Sequence, residues 1–260
     1  MSSKVWSSRG VALATVAVLL LVVGGLWAYV FASAGRASGP VDQQASPSSS
    51  SSSSSTTQAA AEPTWTIDQA REALAGDGSR VLVLGDSTGN GSEDWVSQWG
   101  QQAQMPVALW DTAGEAGYVN ETEETRIWSG AMNRGTADYP LDHDAIWPAQ
   151  DPDLVLLNYG HYEESGDAAA EGLEELSEQV ADRYPEAPVV VVLQNPQADD
   201  ANEPTRTSIA DWAEGAGLPT IDVAAAFEDA DSAQELLDGE INPSVAGSQL
   251  WAETVAEALG

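Results

Sequence analysis

Three regimes of apolar and polar residues follow one another along this chain. Val11 to Ala32 is an apolar run without a charge, long enough to cross about 30 Å of hydrocarbon as a helix. Trp27 and Tyr29 near its end suit a membrane interface, and Lys4 and Arg9 ahead of it favour a cytoplasmic N-terminus. From Gly35 to Thr64 the pattern dissolves into Ser, Ala, Gly, Pro and Gln, with unbroken serine from Ser48 to Ser55, the composition of a disordered tether.

Beyond residue 65 short apolar runs alternate with amphipathic stretches. Arg80 to Leu84, Val107 to Trp110, Leu154 to Asn158, Val189 to Leu193 and Thr220 to Val223 read as strands buried on both faces. Helical patterns cover Ser92 to Gln104, Ala168 to Tyr184, Thr205 to Ala216 and Val245 to Leu259. A short helix, opened by the capping-box spacing of Thr66 and Gln69, runs to about Ala75. Strand and helix in alternation predict an α/β fold: βαβ units with right-handed crossovers, and helices on both faces of a parallel sheet of about five strands. Ligands of such sheets bind beyond the carboxyl ends of the strands, which directs attention to the loops after Leu84, Trp110, Asn158, Leu193 and Val223.

The expected organisation is therefore a cytoplasmic N-terminus (1–10), a transmembrane signal-anchor helix (11–32), a Ser-rich disordered linker (33–64) and one folded domain (65–260). Ala32-Ser33-Ala34 has the look of a cleavage site, but secretory apolar regions ordinarily span about 7–15 residues. A single-pass protein of the cell membrane with its C-terminal domain outside the cytoplasm is the preferred expectation, and secretion after cleavage near Ala34 the alternative. The formal net charge of -32 excludes nucleic acid as a partner by repulsion. The chain has no cysteine, which excludes disulfides, zinc-thiolate sites and a cysteine nucleophile. No cofactor is expected, and no metal-ligand spacing stands out among the acids.

Gly85-Asp86-Ser87-Thr88-Gly89-Asn90 follows the first strand and leads into a helix. A serine on such a turn presents its hydroxyl to the crevice beside unpaired backbone N–H groups, or it simply caps the helix while Asp86 bonds the turn. VLVLGDSTGN resembles the first block of the SGNH/GDSL hydrolases. That resemblance implies a three-layer α/β/α, flavodoxin-like fold and a serine ester hydrolase with Ser87 as nucleophile and first oxyanion donor. It places the oxyanion glycine at Gly135, in RIWSGAMNRGTADYPL, with Gly114 and Gly117 as rivals. The third block matches Gly160-His161-Tyr162-Glu163, where Tyr162 occupies the family's asparagine position. The last block matches DGEINPSVAGSQLWAE, where Asn242 stands for the family's histidine and Asp238, four residues earlier rather than three, is the nominal triad acid.

An amide is not basic, so Asn242 cannot take the serine proton as a histidine would. The only two histidines are His143, which reads as a surface or packing residue, and His161, beside the expected crevice and a candidate substitute base. Glu163 and Glu240 are weaker candidates if burial raises them; Asp86 and Gly160 complete the crevice set. The expected function is a carboxylesterase or deacetylase acting on a cell-surface glycan, a lipid or a small ester. The alternative is a silent descendant that binds a glycan or acyl ligand at the cell surface.

Overall fold

The structure is a computed structural model describing residues 64–230 and 233–260. The predicted cytoplasmic segment, membrane helix and all of the linker but Thr64 lie outside the described residues. Among the described residues no helix is long and apolar enough to cross a membrane.

The domain forms around β1 (Val81–Gly85), five residues buried on both faces. Successive side chains of a strand point to opposite faces. Val81 and Val83 accordingly enter one apolar cluster and Leu82 and Leu84 another. The first cluster is completed by α1 (Ile67–Leu74), α2 (Trp95–Ala103), α5 (Val223–Glu228) and α6 (Val245–Leu259). The second is completed by α3 (Gly166–Arg183) and α4 (Glu203–Ala216). Helices on both sides of one sheet make three layers. Where α2 meets α6, the indoles of Trp95 and Trp251 lie parallel with centroids 5.5 Å apart, and both side chains are fully buried.

The sheet has seven strands, not the expected five or so, in the order β3-β2-β4-β1-β5-β6-β7. β2 (Val107–Trp110), β5 (Leu154–Asn158), β6 (Val189–Leu193) and β7 (Thr220–Asp222) fall where the apolar runs predicted strands. The two additions are β4 (Ile127–Ala131), inserted between β2 and β1 and parallel to both, and the two-residue edge strand β3 (Tyr118–Val119), antiparallel to β2.

The apolar pair Ile127-Trp128 reads like a short strand, but Ser129-Gly130 cuts the apolar run short, although all five residues of β4 are buried. The small residues have a packing cause. A Cβ at Gly130 would stand 2.9 Å from Leu84 Cδ2 and 3.0 Å from Ile146 Cγ1, and Ser129 Oγ donates to Gly89 O at 2.7 Å. β4 is thus shaped to pass under the turn that carries Ser87.

Candidate active site

The carboxyl end of β1 crosses β5 closely. A Cβ at Gly85 would lie 2.8 Å from Asn158 O, so the chain turns there against a neighbouring backbone that only glycine clears. Asp86 is fully buried. Its Oδ1 accepts from Thr88 N at 3.1 Å and Thr88 Oγ1 at 3.0 Å, and its Oδ2 from Gln194 Nε2 at 2.7 Å. These bonds cap the 3₁₀ turn Ser87–Gly89. The N-cap position of α2 belongs to Asp94, so Ser87 caps neither element and its side chain is left for the crevice.

Ser87 Oγ meets two side chains. Tyr162 Oη lies at 2.9 Å, and Ser87 donates to Asn242 Oδ1 at 3.1 Å. Since the one hydroxyl proton goes to Asn242, Tyr162 donates to Ser87, and the three groups form a directed chain ending on an amide oxygen. Its members come from the end of β1, the loop after β5, and a hairpin whose two-residue strands β8 (Leu237–Asp238) and β9 (Asn242–Pro243) precede α6. Among the described residues the Ser87 N–H donates to no acceptor, which leaves it open toward a ligand oxygen.

Tyr162 reaches Ser87 because the chain reverses at Gly160, whose φ of +139° favours glycine. The guanidinium of Arg134, in the loop after β4, sits 5.8 Å from the Tyr162 ring centroid. His161 turns the other way and is buried. Its Nε2 faces Asn195 Oδ1 at 3.0 Å, while Nδ1 faces Gln197 Nε2 at 3.1 Å and Asn202 Nδ2 at 3.3 Å. The amide donors assign the proton to Nε2 and occupy the lone pair of Nδ1. Asn195 Nδ2 then donates to Ile241 O at 3.0 Å, one residue before Asn242. His161 thus braces the hairpin and makes no contact with Ser87.

Burial holds the His161 pKa below its ordinary value, against the opposing influence of Asp86 and the Asn195 bond. An imidazole that is neutral when folded takes up a proton on unfolding below about pH 6.5, so its contribution to stability falls as pH falls through that range. His161→Ala should destabilise the domain by about 1–3 kcal/mol near neutral pH, because it strips partners from buried amides. In urea unfolding the advantage of the wild type over this variant should shrink toward about pH 5.

The other predicted residues are placed as follows. The Gly135 N–H donates to Met132 O at 2.9 Å, and the Gly114 N–H donates to Asp111 Oδ1 at 3.0 Å; both are engaged within their own turns. Asp238 stands opposite Asn242 in the hairpin ladder, is exposed, and makes no side-chain hydrogen bond to Asn242 or Ser87 among the described residues. The residue that lengthens the Asp238–Asn242 spacing is absorbed by the hairpin turn, where Gly239 has φ +84°. Glu163 Oε1 accepts from Ala137 N at 2.9 Å, tying the loop after β5 to the loop after β4, and burial raises its pKa against that bond. Glu240 is exposed. His143 packs on Tyr139 with centroids 3.9 Å apart, its ring nitrogens facing Tyr139 O and Glu115 Oε2, and among the described residues it makes no hydrogen bond to Ser87, Tyr162 or Asn242.

Sequence reasoning did not single out Gln194, Asn195, Gln197 and Asn202. The signal available was a pair of amides, Gln194-Asn195, directly after the apolar strand β6 at the functional edge. Among the described residues no group of three or more His, Asp or Glu could hold a metal ion. Two cavities flank the site, neither lined by Ser87 itself. One, of about 310 Å³, includes Met132, Arg134 and Tyr139; the other, of about 490 Å³, includes Gln197, Phe227 and Leu237.

A family model described as GDSL-like Lipase/Acylhydrolase matches residues 83–250. No curated protein matches the sequence significantly. Among solved structures, the fold is similar to a carbohydrate esterase family 3 protein from Talaromyces cellulolyticus, with 19% identity, TM-score 0.53, and coverage of 70% of this chain and 96% of that one. It is similar to a member of the lipolytic protein G-D-S-L family from Veillonella parvula DSM 2008, at 14% identity and TM-score 0.51, covering 69% and 97% of the respective chains. A two-domain esterase active on acetylated mannans matches at 16% identity and TM-score 0.53 over 74% of this chain and 50% of that one. At these identities the structural likeness is one of fold.

Proposed function

Because the chain belongs to the GDSL-like lipase/acylhydrolase family, we propose that it is an ester hydrolase in which Ser87 accepts the acyl group of a small ester or an acetylated glycan. The observation that carries this reading is the Ser87 hydroxyl itself. It is partly exposed at the strand edge where such folds bind ligands, is oriented by two side chains, and lies beside its own unpaired N–H. An acyl carbonyl approaching Ser87 Oγ would direct its developing negative charge to that N–H. The glycan-ester preference draws on the esterase acting on acetylated mannans and the carbohydrate esterase, whose fold this chain shares. The apolar run 11–32 is proposed to tether the domain to the membrane with its active face outside the cytoplasm.

A second reading is favoured by one observation. The group that accepts the Ser87 proton is the amide oxygen of Asn242, and the nominal acid Asp238 does not support it. A protein so built can bind an acyl group or a glycan without cleaving it. The purified full chain, assayed with p-nitrophenyl acetate and acetylated mannan and exposed to a fluorophosphonate, separates the two. Turnover and labelling that both map to Ser87 support the hydrolase. Acetylmannan binding with neither turnover nor labelling establishes the binder instead.

A further inference from the structure

We propose that Tyr162 is the base that removes the proton of Ser87, with Arg134 held against its ring. The proposal rests on the reading of Ser87 as acyl acceptor and names the group that activates it.

A base must lie within hydrogen-bond reach of the nucleophile, about 2.6–3.2 Å. Of the two side chains that do, Asn242 offers an amide oxygen and Tyr162 a phenol at 2.9 Å. Only the phenol has a conjugate base that can hold the serine proton in the alkaline range. His161, the one imidazole near the crevice, has both nitrogens committed to Asn195, Gln197 and Asn202. Asn242 then acts as an orienting residue: its oxygen aligns the Ser87 hydroxyl until the phenolate takes the proton.

Arg134 lies against the ring face, within the roughly 6 Å at which a cation is attracted to an aromatic ring, and its attraction grows when the ring oxygen becomes anionic. It has the bearing of an uncommitted cation. Arg71, Arg80 and Arg183 pair with Asp68, Asp153 and Asp144, and Arg206 with Asp200 and Glu228, whereas Arg134, like Arg126, forms no ion pair among the described residues. His161 stands edge-on to the ring, centroids 6.5 Å apart, neutral and buried.

The step balances. Ser87 Oγ bonds to the ester carbonyl carbon as its proton passes to the Tyr162 phenolate. The phenol returns that proton to the departing alkoxide as the carbon–oxygen bond of the ester breaks. Water then attacks the acyl-serine, giving its proton to the phenolate, and the phenol reprotonates Ser87 as the acid leaves. Only water is consumed. The alternative role for this hydroxyl, donation to the oxyanion, requires the protonated phenol and so has the opposite dependence on pH.

The test is p-nitrophenyl acetate turnover by the full chain, with the Ser87→Ala rate subtracted at each pH to remove alkaline background hydrolysis. The wild-type kcat should rise about tenfold per pH unit between about pH 7 and 9. Tyr162→Phe should lower kcat by about 10²–10⁴-fold and flatten the rise while leaving thermal unfolding near that of the wild type. A Tyr162→Phe protein that keeps both kcat and its slope overturns the proposal and leaves the hydrolase reading intact, as does a wild-type rate that falls as pH rises. Absence of any Ser87-dependent turnover or labelling overturns both.

Discussion

Replacing Ser87 with alanine is expected to lower turnover of p-nitrophenyl acetate by about 10³-fold or more and to abolish fluorophosphonate labelling. The loss is large because the covalent route disappears. What remains is ligand binding and one backbone N–H, which alone accelerate a reaction modestly. The variant should keep its fold. Ser87 is partly exposed, its neighbours Tyr162 and Asn242 lie in a crevice that water can enter, and the turn beneath it is capped by Asp86 through Thr88 rather than by Ser87. Urea unfolding should differ from the wild type by no more than about 1 kcal/mol. Equal turnover by the two proteins would move the chemistry away from Ser87.

Gly247→Ala is expected to do the converse, damaging the fold first and the site through it. Gly247 lies in the first turn of α6, its N–H donating to Ser244 Oγ at 3.3 Å. A Cβ there would fall 2.1 Å from Leu236 O and 3.0 Å from Pro243 Cβ. Neither obstacle is a flexible side-chain end: Leu236 O already accepts from Ser244 N at 2.8 Å, so moving it breaks the bond that seats the hairpin on α6. The expected cost is about 3 kcal/mol or more, read as a lower urea midpoint. Asn242, carried by that hairpin, should lose its alignment with Ser87 and turnover should fall as well. Gly215→Ala, in α4 with no atom within 4 Å of the added Cβ, should instead stabilise by about 0.5–1 kcal/mol and leave turnover unchanged.

The Gly247 clash also explains why the last block keeps its frame although its histidine position holds Asn242. The glycine and Trp251 serve the packing of α6 against α2 and the hairpin, a requirement independent of which side chain points at Ser87. A recognisable frame is therefore evidence for the hairpin's position and says little about the base. The Gly85 turn is similar, since glycine is demanded there by the close backbone of β5.

His161 illustrates the opposite case. Its place in the sequence, directly after the glycine of the third block, made it a candidate base, but a strand end sends successive side chains to opposite sides. Gly160 reverses the chain, Tyr162 goes outward to Ser87, and His161 goes inward to three amides from segments far along the chain. No spacing rule contains those partners. For the same reason the Gly135 N–H, free in a one-dimensional reading, is bonded to Met132 O once the loop is folded.

By itself the sequence determined the α/β alternation and the buried strand that ends just before Ser87, and the family resemblance of its blocks indicated that Tyr162 and Asn242 stand at the crevice. The alternation and the buried strand are local consequences of periodicity and side-chain identity. Only the tertiary structure decided that β4 lies inside the sheet, that Asp238 remains exposed, that His161 is buried against three amides, and that the Tyr162 phenol and the Asn242 amide meet on one hydroxyl. Those outcomes depend on contacts between segments 75 and 155 residues apart, where hydrogen-bond distance and burial, not pattern, determine which groups can exchange a proton.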